Sequence, residues 1–92
     1  MHFYTVIMEF QGGTYVSQHL AQDQDAALIK AFKENIADNE LPDFTDDLWE
    51  EIDFWMEECG TVLLDGSKNV WYFSLLFNDE SQHCHIIKTS QD

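Results

Sequence analysis

The triplet His83-Cys84-His85 is the sharpest candidate for chemistry in this sequence. Alternate residues of a β-strand project to the same side, so the two imidazoles would stand together. Such a pair can offer two nitrogens to Zn²⁺ or another borderline metal, with His19 or a carboxylate as third ligand. That arrangement would suit a metal-binding module or a metal-dependent hydrolase. No CxxC or HExxH accompanies it. The simpler reading is a solvated strand face with two half-exposed histidines, and Cys84, on the opposite face, joins them only across a bulge. No metal site and no cofactor are assigned.

Nucleophilic catalysis by Cys59 or Cys84 would need a nearby base and a positive environment. The surroundings of Cys59 are the reverse. It follows Glu57 and Glu58 at the expected end of a helix, where the dipole disfavours a thiolate, and it reads as a small buried hydrophobe. With 18 Asp and Glu among 92 residues, carboxylate pairs arise by chance and select no acid and base. No catalytic residue is assigned, and the expectation is a protein that is not an enzyme.

The charge itself is more informative. Lys30, Lys33, Lys68 and Lys88 are the only cations, and the net charge is −14. Phosphate recognition draws on Arg forks or clustered Lys, so nucleic acid is excluded as a partner and anionic membranes would repel the chain. Ten acids, from Asp38 to Glu58, fall within 21 residues that hold no Lys or Arg. One reading is a solvated helix face that confers solubility. The sharper one is a recognition surface for a basic protein, centred on Asp46, Asp47, Glu50, Glu51 and Asp53. No EF-hand loop is present.

The elements that must position these groups follow from the apolar pattern. Phe3 to Phe10 and Tyr15 to Ala21 alternate around Gly12-Gly13, which predicts a β-hairpin pairing Phe10 with Tyr15 and Val6 with His19. Asp23 caps a helix whose apolar stripe is Ala27, Leu28, Ala31, Phe32 and Ile36. After Pro42, Thr45 caps a second helix, Phe44 staples onto Trp49, and Leu48, Ile52, Trp55 and Cys59 form its buried stripe up to Gly60. A short strand over 61–64 and a hairpin over 69–89 complete the chain, with Phe77 opposite Gln82 and Leu75 opposite Cys84. Trp49, Trp55 and Trp71 are expected in the core.

This order predicts one α+β domain over 1–92, β-β-α-α-β-β-β, with four or five antiparallel strands and both helices on one sheet face. A core of this size buries only about 60–65% of the unfolded surface. Phe3, Ile7, Val16, Leu20, Tyr72, Leu76 and Ile87 would then line an uncovered sheet face, which a homodimer could cover. No secretory or membrane-spanning segment is recognisable, so the expected compartment is the cytoplasm and both cysteines are expected to be reduced.

The phrases FYTVIMEFQGGTYVSQ, SKNVWYFS and HIIKT, in this order of elements, resemble a family of small, acidic, uncharacterised bacterial proteins. The opening hairpin and helix are also similar to HicB-type antitoxins, although the Pro- and Gly-rich stretch that follows the first hairpin there is missing between Val16 and Ala26. The resemblance implies a structural likeness and no activity. The acidic middle segment suggests a small binding protein of inhibitor, antitoxin or immunity type that meets a basic partner, with a structural homo-oligomeric subunit as a further alternative.

Overall fold

Alternating β-branched and aromatic residues favour extended chain, and His2–Phe10 (β1) and Gly13–Ala21 (β2) are strands. The computed structural model describes residues 1–10, 12–37, 46–66, 68–77 and 80–89; the side chains of Ile36, Ala37, Asp46, Asp47 and Phe77 fall outside that description. After β2 come α1 (Gln24–Ala37), α2 (Asp46–Glu58), β3 (Val62–Leu63), β4 (Val70–Phe77) and β5 (Glu80–Lys88). The class is α+β. All strand pairs are antiparallel, in the order β2-β1-β5-β4-β3, so the first strand lies inside the sheet beside the last.

Both hairpins depart from expectation in the same way. Phe10 faces Gly13 rather than Tyr15, Tyr15 faces Met8, and Tyr4 faces His19. In the second hairpin Phe77 faces Glu80, Leu75 faces Gln82 and Phe73 faces Cys84. Each register is shifted by two residues, which leaves every side chain on its expected face, whereas a shift by one would have reversed them all. The first correction has a clear cause. Gly12 takes the positive φ of 84° at the turn, while Gly13 belongs to the strand. A Cβ on Gly13 would stand 2.9 Å from Tyr15 Oη, so Gly13 is the seat for the Tyr15 ring. In the second hairpin Glu80 belongs to β5, and residues 78–79 lie outside the described residues.

Both helices pack on one face. The inner sheet face buries Tyr4, Val6, Met8, Phe10, Phe73, Leu75, Cys84 and Ile86, and α1 adds Ala27, Leu28, Ala31 and Phe32. Leu48 and Ile52 of α2 complete the same cluster, with Trp49, Trp55 and Trp71 partly buried against it. Helix α1 lies over β2, β1 and β5, and α2 lies over β4. The helices meet where Phe32 and Trp49 stand edge to face, centroids 6.3 Å apart.

Local chemistry fixes the helix ends. Asp23 Oδ1 accepts a 2.8 Å hydrogen bond from Ala26 N, the expected cap of α1. Thr45 and Phe44, the expected cap and staple of α2, lie outside the described residues. At the other end Gly60, with φ 62°, lets the Cys59 and Gly60 amides both donate to the Trp55 carbonyl. Thr61 then donates to Asp25 Oδ1 at 2.6 Å and accepts from Gln24 Nε2 at 3.3 Å, tying the start of α1 to the end of α2. Cys59 corrects the sequence reading. It is exposed, because the chain leaves the helix there and the apolar stripe ends with Trp55 and Met56.

Candidate functional site

Three aromatic rings gather on the outer sheet face. Tyr72 faces His85 across β4 and β5, and His83 stands diagonally from it. The Tyr72 ring stacks on His83 at 5.8 Å and 28°, and tilts against His85 at 5.3 Å. The Tyr72 hydroxyl is hydrogen-bonded to His83 Nδ1, which occupies one of the two nitrogens a metal would use. His83 and His85 do share a face, as expected, whereas His19 cannot be their third ligand. It pairs with Tyr4 on the inner side of the sheet, beneath α1. Among the described residues no three His, Cys, Asp or Glu side chains converge in a metal-binding arrangement.

The apolar part of this face is open. Val16 is 64% exposed, Leu20 55%, Leu76 47% and Val62 53%, so the helices leave it uncovered. Ile7 lies between Val16 and His85, and Tyr72 between His85 and Val62, which makes one row across all five strands. Glu9 stands opposite His83 on this face.

The second region is α2. Glu50, Asp53, Glu57 and Glu58 are exposed on its solvent side. Of the five expected contact residues, Glu50 and Asp53 are free in this sense, while Glu51 is half-buried and accepts a 3.0 Å hydrogen bond from Trp55 Nε1. Asp46 and Asp47 begin the helix, but their side chains fall outside the description, as do Asp38, Glu40 and Asp43. The sequence reading missed Phe54. It is 50% exposed, and with Glu50, Asp53, Met56 and Glu57 it lines a shallow surface hollow. The signal was available, since Phe54 lies four residues after Glu50, three before Glu57 and four before Glu58, on the charged side of the helix.

Cys84 and His19 lie on the inner face of the sheet. Burial pushes the Cys84 thiol up to about 12, so it is a packed hydrophobe without nucleophilic character. His19, with its side chain 10% exposed, has its pKa lowered by burial, against the opposing pull of Glu34. Its Nε2 lies 2.9 Å from Ser17 Oγ and 3.2 Å from Glu34 Oε2. No helix among the described residues is long and apolar enough to cross a membrane.

Comparison with family models, curated proteins and solved structures gives no match. The resemblances noted above therefore rest on the quoted residues alone.

Proposed function

We propose that this chain is a small binding protein, of inhibitor, antitoxin or immunity type, whose α2 face meets a basic protein. What supports the reading is the make-up of that face: an exposed Phe54 surrounded by Glu50, Asp53, Glu57 and Glu58, on a helix without a single Lys or Arg. Aromatic anchors ringed by charge are the usual composition of a recognition patch, the ring supplying affinity and the carboxylates supplying on-rate and choice of partner.

The test uses a basic protein recovered from the native cell on the immobilised chain. Glu50→Gln, Asp53→Asn and Glu57→Gln together should slow association and flatten its salt dependence, because exposed charges are screened beyond about 8–10 Å at physiological ionic strength. Phe54→Ala should instead speed dissociation. A folded triple variant that captures the same protein at an unchanged rate in low salt would reduce the acidic face to a solvated one.

A further inference from the structure

We infer that two copies of this chain join through the free edge of β2, antiparallel, into a continuous ten-stranded sheet. β2 ends the sheet and has nine residues, so it presents a full row of backbone groups to an incoming strand. Which groups face outward follows from the hydrogen bonds. Phe3 O accepts from Thr89 N on the β5 side of β1, so odd residues of β1 turn their backbone toward β5 and even ones toward β2. Phe3 faces Leu20, hence Thr14, Val16, Gln18 and Leu20 turn theirs away from β1, toward the open edge.

Edge strands are normally protected by charge, proline or a bulge. Residues 10–22 contain no Asp, Glu, Lys, Arg or Pro. Among the described residues the blunting device is Lys30, whose ammonium is hydrogen-bonded to the Leu20 carbonyl. It closes the far end of the edge and leaves Thr14 to Gln18 open. That five-residue segment is self-complementary: with Val16 opposite its own copy, Thr14 meets Gln18 and Tyr15 meets Ser17.

Self-complementarity selects a second copy as the occupant, and charge selects this edge as the place. Helix α1, beside β2, carries Asp25, Glu34, Lys30 and Lys33 and sums to zero, whereas α2 carries seven acids and no cation. β2 lies three strands from β4, under α2, or about 14 Å at the usual strand spacing. Pairing at β2 holds the two acidic helices at opposite ends of the joined sheet, well beyond the screening length of about 8 Å. The opposite edge, β3, follows directly from the acidic helix and offers only two residues.

The experiment is sedimentation equilibrium combined with amide hydrogen exchange across a concentration series. A dimer should form, and strengthen as salt rises, since the copies share one sign of charge; binding of a basic protein by α2 would change in the opposite direction, so either idea can fail alone. Val16 and Gln18 amides, which make no bond to β1, should gain protection with concentration. Val16→Pro removes one outward N–H without touching the β1 ladder, and should weaken the dimer at least about tenfold while the circular dichroism is kept. Should that variant unfold, the exchange series on the unaltered chain decides the question. Leu76→Lys, on the outer face and far from β2, should leave the dimer intact. A monomer up to millimolar concentration, unprotected Val16 and Gln18 amides in a dimer, or a dimer abolished by Leu76→Lys would each overturn the inference, the last in favour of face-to-face stacking.

Discussion

His19 of β2 lies against Glu34 of α1, 3.2 Å apart, and the contact sits under the helix with the imidazole held toward its neutral form. As pH falls, an unfolded histidine takes up its proton near pH 6.5, before His19 in the folded chain does. The contribution of neutral His19 to stability is therefore complete above about pH 6.5 and is lost as pH falls from there toward the lower folded-state pKa. His19→Gln should flatten the dependence of the urea midpoint on pH between about 7 and 5 relative to the unaltered chain. Equal slopes for the two proteins would show that the imidazole is not the group that titrates.

The two thiols should behave oppositely. Cys59 is exposed and Cys84 is buried, with a pKa pushed up to about 12. A thiol reagent should modify one cysteine in the native protein, and the second only at the rate of unfolding. Cys59→Ser should abolish the fast phase. Two fast phases would place Cys84 at the surface.

Capping gives a third test. Asp23→Ala removes the acceptor for the Ala26 amide and should cost about 1 kcal/mol, whereas Asp23→Asn, which still accepts, should cost less. Thermal or chemical unfolding measures both, and equal losses would mean that charge at the helix dipole, rather than the cap, matters there.

Truncating Phe32 reaches both helices, because its ring is fully buried and meets Trp49. Phe32→Ala should destabilise the fold by about 3–5 kcal/mol. The contrast is Phe54→Ala, at a half-exposed ring, which should change stability little. A Phe54→Ala variant as unstable as Phe32→Ala would show that α2 buries both sides.

Helical spacing was enough to assign Leu28, Phe32, Leu48 and Ile52 to the core, and alternation to set Val16, Leu20 and Leu76 on the open sheet face, because inside and outside are set by a period that the residues display. Register was not legible. It depends on which residues take the turn, and Gly12-Gly13 satisfies the rule for a two-residue loop equally well with one glycine serving a neighbouring ring instead. Strand order was hidden for a related reason, since nothing local to β1 says that it pairs with β5. In the candidate site the carboxylates were visible as composition, whereas Phe54 could be found only by laying out the helical spacing that sets it among Glu50, Glu57 and Glu58.

The pairing of β1 with β5 joins Tyr4 to Lys88, almost the full length of the chain. Its cost falls on the timing of assembly. During synthesis the opening hairpin and α1 can form early, but β1 keeps an unmated side until β5 has left the ribosome. Until then Phe3, Thr5 and Ile7 present their backbone donors and acceptors to any strand nearby. Contacts this distant in sequence slow folding, and the interval before the last strand arrives is when the nascent protein is most open to pairing with the wrong neighbour.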